Sequence, residues 1–166
     1  MTGPRLRDAG PDDLPAIGEI LNREIRETTA SWRTVPMGLD ALHAWFVTRQ
    51  SSGLPVVVAC DDGVIAGYGS YGTFRAGEGY GPTVEHSVYV RATHRGHGIG
   101  GALLAALVAR AKAAGLARMV GGISADQPAS LALHRRLGFV EAGRLPGVGE
   151  KFGHRLDLVL MVCALD

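Results

Sequence analysis

The stretch HRGHGIGG, His94 to Gly101, holds four glycines in eight residues, includes Arg95, and runs straight into the apolar segment ALLAALVARAKAAG. Bare backbone at the mouth of a helix suits an oxyanion. A helix start leaves amide hydrogens unpaired and carries about half a positive charge, so a phosphate there gains from both, and glycine lets it come close. Three readings of the spacing compete. Gly96-His-Gly98-Ile-Gly-Gly101 matches the dinucleotide fingerprint G-x-G-x-x-G. That fold asks for repeated β-α units around the turn and an acidic residue ending the next strand; only Asp126 is available, and the strands ahead read as hairpins. The nucleoside-triphosphate loop G-x-x-x-x-G-K-S/T is absent. A glycine-rich turn with no ligand is the third reading.

Other reactive side chains lie close by in sequence. On VEHSVYV, alternation sends Glu85, Ser87 and Tyr89 to one face and His86 and Val88 to the other, which delivers a carboxylate beside the glycine turn. In the loop FRAGEGYG, Arg75 can pair with a carboxylate bidentately, and Phe74 and Tyr80 can wall a pocket. His94, His97 and His154 lack the spacing of known ligand sets, so no metal is expected. Cys60 and Cys163 fall in apolar, strand-like segments and read as buried reduced thiols.

The elements that must position these groups follow from the pattern of the whole chain. With 166 residues, 46% of them apolar, one core is affordable and a single domain over residues 1–166 is expected. Seventeen basic residues against sixteen acidic ones leave a charge of +1, which excludes nucleic acid or an anionic membrane as the principal partner. The N-terminus MTGPRLRDAGPDD lacks a secretory apolar core, and runs such as LVLMVCAL are too short to span a bilayer, so a soluble cytoplasmic protein is expected.

RLRDA reads as a first strand, and DDLPAIGEILNREI as a helix opened by Asp12 or Asp13, with Leu14, Ile17, Leu21 and Ile25 on one face. A second helix from Leu39 to Gln50 carries Leu42, Trp45 and Phe46. LPVVVAC and VIAGYGSYGTF, joined through DDG, form a hairpin. After VEHSVYVR comes a helix from about Gly98 to Ala114, whose inward face is Leu103, Leu104, Leu107, Val108 and Ala111. ARMVGGI is a strand, PASLALHRRLG a helix, and FVEAGRL and RLDLVLMVCAL the last two strands. The order β-α-α-β-β-β-α-β-α-β-β predicts an α/β (α+β) domain, with a mixed, mostly antiparallel central sheet flanked by helices.

Arg95-Gly-x-Gly98-x-Gly100, after a strand and before an amphipathic helix, resembles the pyrophosphate-binding motif of the GNAT N-acetyltransferases. The resemblance covers nearly the whole chain and is most specific in TVEHSVYV, RGHGIGGALL and LHRRLGF. Within that superfamily, TVEHSVYV and VGEKFGHRLDL are similar to the phosphinothricin and methionine sulfoximine N-acetyltransferase group. It implies the acyl-CoA N-acyltransferase fold, acetyl-CoA as co-substrate, a small amino-acid-like acceptor and a homodimer. It also implies that Arg95, Gly96, His97, Gly98, Ile99, Gly100 and Gly101 hold the pyrophosphate. Val88, Tyr89 and Val90 would pair with pantetheine through their backbone, and one amide, that of Val88, would face the thioester oxygen.

The resemblance assigns Glu85 as the base, directly or through a water, and puts His134 where many relatives have a tyrosine that protonates the departing sulfur; a helix histidine with only a structural contact is the equal alternative. Gln127 replaces an asparagine common at the cofactor edge. Around the acceptor it implies Phe74, Arg75, Ala76, Gly77 and Tyr80, with Glu85, His86 and Ser87 of the strand and Lys151 contributed across a dimer. Relatives have bulkier residues around Ala76 and Gly77 and a tryptophan near Phe74, so a wider pocket or another substrate is expected. Acetylation of a different amine or a peptide terminus, and a non-catalytic acyl-CoA sensor, stay open as alternatives.

Overall fold

Seven strands join into one sheet in the order β1-β2-β3-β4-β5-β7-β6 in the computed structural model, which describes residues 4–166. The strands are β1 Arg5–Asp8, β2 Val56–Asp61, β3 Val64–Thr73, β4 Thr83–Val90, β5 Arg118–Ser124, β6 Val140–Lys151 and β7 His154–Ala164. The helices are α1 Leu14–Glu27, α2 Leu39–Ser51, α3 Ile99–Ala113 and α4 Pro128–Arg136. Every neighbouring pair is antiparallel except β4 with β5. The element order and the α/β class agree with the sequence reading.

Burial on both faces of the sheet follows from the apolar run Val56–Ala59. Val56 and Val58 enter the cluster under α1 and α2, with Ile17, Leu21, Ile25, Leu42 and Phe46, whereas Val57 and Ala59 enter the cluster under α3 and α4. The second cluster contains Leu103, Leu104, Leu107 and Ala111, the predicted inward face of α3, with Val108 packed at its border. Between β2 and β3, Asp62 (φ 45°) and Gly63 (φ 80°) make the two-residue hairpin turn that Asp-Gly predicts.

Two local expectations change. Asp13 does not cap α1 with its side chain; Pro11–Asp13 form a 3-10 turn, and the carboxylate accepts from the Gly10 amide (2.8 Å) and pairs with Arg7 (2.6 Å). The strand expected over FVEAGRL continues to Lys151, past Pro146. Proline is tolerated because β6 is an outer strand, and the ladder is interrupted between Leu145 and Gly149. Cys60 is half-buried and Cys163 buried, both as free thiols. Among the described residues no helix is long and apolar enough to cross a membrane.

Candidate active site

The parallel contact between β4 and β5 is short, and that opens the sheet. Only Thr83, Val84 and Glu85 pair with β5, opposite Arg118, Met119 and Val120; beyond the His86 amide, as far as Val90, the β5-side edge of β4 meets no strand among the described residues. The Arg91 amide donates to the Ala66 carbonyl of β3 at 2.7 Å, which fixes the parity of the edge. Residues 87 and 89 therefore direct their backbone groups to β3, the His86 amide closes the pairing with Val120, and the His86 carbonyl with the backbone groups of Val88 and Val90 faces the opening.

Beyond Val90, a 3-10 turn over Ala92–His94 leads to Gly98, whose left-handed conformation (φ 79°, ψ −2°) turns the chain into α3. A side chain at Gly98 would be strained by that φ, although the space around it is open. No side chain caps the start of α3, and its first intrahelical bond is from Ala102 to Gly98, so the amides of Ile99, Gly100 and Gly101 stay unpaired beside the open edge of β4. Gly100 and Gly101 serve packing too: a Cβ at either would lie 3.4 Å from Leu133 of α4. His97 is exposed in the same turn.

Arg95 does something the motif does not announce. Its guanidinium forms an ion pair with the buried carboxylate of Glu24 in α1, whose other oxygen accepts from Thr28 Oγ1 at 2.8 Å. Lys151 approaches the same segment from β6. It is 4% exposed, and its ammonium donates to the carbonyls of Thr28 (2.5 Å), Ser31 and Glu24 (3.3 Å). The resemblance put Lys151 at the acceptor; the structure puts it behind the acceptor wall, clamping the segment after α1. Gln127, at the start of α4, also reaches that segment, donating to Thr29 Oγ1 at 2.8 Å.

On the α1–α2 side of the opening lies a cavity of about 380 Å³, lined by Ser31, Trp32, Arg49, Thr73, Glu85, Ser87, Tyr89, Gly122, Leu158 and neighbours. Glu85 is exposed as a residue but faces this cavity from β4. Desolvation raises its carboxyl pKa above the usual range, and the charge of Arg75 pulls it partly back. The carboxylate rests over Gly122 of β5, where a Cβ would lie 3.2 Å from Oε1. Sequence reasoning did not single out Gly122, Ser31, Trp32 or Arg49. Glycine inside the strand GGI was the available signal, because it marks close approach by another group.

Of the expected acceptor loop, only Arg75 acts on this cavity, through its charge. Phe74 and Tyr80 pack edge to face at 5.8 Å, with Arg75 stacked over Phe74 at 5.0 Å, and Ala76, Gly77 and Tyr80 are exposed. Ser87 and Tyr89 share the face of Glu85, as alternation predicts, while the His86 ring turns to α4.

That ring meets His134. Nδ1 of His134 lies 2.7 Å from the Ser130 carbonyl and must carry a hydrogen; its Nε2 lies 3.0 Å from Nε2 of His86. In the neutral pair His86 therefore donates and His134 accepts, which uses both nitrogens of His134. The pair stacks at 5.0 Å between centroids, with Phe139 edge-on to both rings. His134 is 5% exposed, and burial lowers its pKa. The proton donor inferred for the departing sulfur is thus turned into the core and already bonded. Among the described residues no group of three potential metal ligands gathers.

Comparison with known proteins comes after this geometry. Residues 17–139 match the model of the acetyltransferase (GNAT) family. The chain is 51% identical over 162 residues to an L-methionine sulfoximine/L-methionine sulfone acetyltransferase of Pseudomonas aeruginosa, covering 97% of this chain and 94% of that protein. It superposes with a TM-score of 0.97 on an acetyltransferase from Salmonella typhimurium solved with its cofactor acetyl-CoA, at 41% identity over 99% of this chain and 95% of that one. A phosphinothricin acetyltransferase from Sinorhizobium meliloti in complex with acetyl-CoA gives a TM-score of 0.95, at 36% identity over 98% and 89% of the two chains.

Proposed function

The chain belongs to the acetyltransferase (GNAT) family, and from that premise we propose that it moves an acetyl group from acetyl-CoA to the amine of a small amino-acid analogue. The acceptor class is that of methionine sulfoximine, methionine sulfone and phosphinothricin. Residues 1–166 act as one N-acetyltransferase domain, in the cytoplasm. One observation carries the reading: Glu85 faces a cavity on one face of β4, and the same strand offers an unpaired edge that ends on the bare amides of α3.

The chain presents two sets of backbone groups to the co-substrate. The amides of Ile99, Gly100 and Gly101 suit a pyrophosphate, and the free backbone groups of Val88 and Val90 suit the amides of a pantetheine arm. Acetyl-CoA supplies the activated acyl group. Glu85 takes the amine proton, and the Val88 amide, on the open edge of β4, would be the donor for the acyl oxygen. The α-amine of a free amino acid has a pKa above the about 8 of a chain terminus, so less than about 10% is neutral at pH 7 and deprotonation costs at least about 1.4 kcal/mol. Positioning can supply about 7–11 kcal/mol, and the cavity walls therefore matter more than base strength.

The test is coenzyme A release across a panel of amino acids and their analogues. Methionine sulfone, methionine sulfoximine or phosphinothricin is expected to exceed unmodified amino acids in kcat/KM, and release with none of the panel would remove the reading. Self-association belongs to the same proposal. The outer strand β6 and its turn expose Val140 (65%), Val148 (53%) and Phe152 (54%), an apolar edge that a second copy can cover. Light scattering on the same preparation is expected to give twice the mass of 17.4 kDa, and a monomer at assay concentration would refute the dimer.

A further inference from the structure

Arg49, in the last turn of α2, is a cation without an anion. It lines the Glu85 cavity, yet among the described residues it forms no ion pair, and its buried Nε has no protein acceptor. Burial lowers its pKa with no carboxylate to oppose the shift. The side chain is held firmly all the same. Trp45, one turn earlier, presents its ring 5.8 Å from the guanidinium carbon, and the guanidinium lies against Gly72 of β3, where any Cβ would overlap it. A desolvated, unpaired charge is costly, and proteins pair such charges unless a ligand supplies the counter-group.

The sheet register says which part of an acceptor that is. Gly72 pairs with Glu85 across β3 and β4, and the Glu85 carboxylate leans the other way, over Gly122 of β5. Arg49 and that carboxylate are thus separated by roughly two strand spacings, about 10 Å. Arg75 is the cation whose charge reaches Glu85. An amino acid carries its α-carboxylate one carbon from the amine, so an amine at Glu85 turns its carboxylate to Arg75. The oxygen at the end of a methionine sulfone side chain lies five bonds from the amine, about 6 Å. With a hydrogen bond of about 2.9 Å at each end, it spans the distance to Arg49.

We propose that Arg49 is a specificity-determining residue that receives the sulfone, sulfoximine or phosphinate oxygen of the acceptor side chain, while Glu85 receives its amine. The inference rests on the acetyl-transfer reading above. Its test compares methionine sulfone with methionine, which has the same skeleton without the oxygens. Arg49→Met is expected to lower kcat/KM for the sulfone about ten- to a hundredfold, chiefly through KM, as loss of a charged hydrogen bond requires. For methionine the change should stay below about threefold, and Arg49→Lys should recover part of the sulfone preference. Calorimetric affinity for acetyl-CoA should be unchanged in both variants, which checks that they fold.

Equal losses for the two acceptors, or no loss for the sulfone, would overturn the assignment while leaving acetyl transfer intact. Should the wild-type protein acetylate neither compound, the acetyl-transfer reading fails first, and calorimetry with phosphinothricin then decides Arg49 alone. Binding that Arg49→Met abolishes would support it; binding that survives the change, or no binding to the wild type, would overturn it.

Discussion

Glu85→Gln is expected to lower the rate of acetyl transfer at pH 7 by about 10²–10⁴-fold, the usual contribution of a positioned base. The substitution keeps the shape of the side chain over Gly122 and removes only its capacity to take a proton. Two explanations of a slower enzyme separate by pH. If Glu85 merely raised the share of neutral amine, an alkaline medium would restore the whole loss. If Glu85 takes the proton as the bond forms, the deficit persists above the pKa of the amine. In the wild-type protein, kcat/KM should fall as pH drops through the raised Glu85 pKa, whereas the variant should lose that limb and keep the one due to the amine. Coenzyme A release followed from pH 5.5 to 9.5 in both proteins is the measurement. A deficit below tenfold at pH 7, or full recovery at high pH, would take the base role from Glu85.

The features legible in the sequence were local. Alternation in VEHSVYV correctly put Glu85, Ser87 and Tyr89 together on the cavity side, because a strand's side-chain period is two whatever lies beside it. The glycine turn was legible for a similar reason: Gly98 is needed by its own φ, and the apolar period of α3 follows at once. The acceptor walls were not legible. Ser31 and Trp32 belong to the segment after α1, and Lys151, 120 residues away from Ser31, holds it in place. Gly149 is bare because the Trp32 ring lies against it, a relation that no window of sequence contains. Arg49 lies in the last turn of α2, where a cation is ordinary, so its sequence position carries no signal. At His134 a motif position suggested a proton donor and left a structural contact open beside it, and a carbonyl one turn back together with His86 turns its ring inward.

That histidine pair makes stability itself depend on pH. His86 is held neutral: burial, and secondarily the neighbouring His134, push its pKa down from 6.5 to about 3. The geometry says why. Nε2 donates to His134, and a second proton would have to go on Nδ1, which is buried with no acceptor. A folded pKa below the unfolded one means that the unfolded chain binds more protons, so stability is fully present above about pH 6.5 and is lost as pH falls toward 3. The loss is about 1.4 kcal/mol per unit, hence about 2 kcal/mol between pH 7 and pH 5, and His134, shifted the same way, adds to it. Asp13, Glu19 and Asp157, whose pKa values are lowered, contribute only below that window, whereas the raised pKa of Glu85 opposes the trend. Urea unfolding at pH 7, 6 and 5 on the Glu85→Gln background removes that opposition. There, His86→Gln keeps a neutral donor for His134 and should flatten the slope by about one proton, even if it lowers stability at every pH. A background protein equally stable at pH 7 and pH 5 would mean that His86 takes up its proton as readily in the folded state as in the unfolded one, and that burial does not hold it neutral.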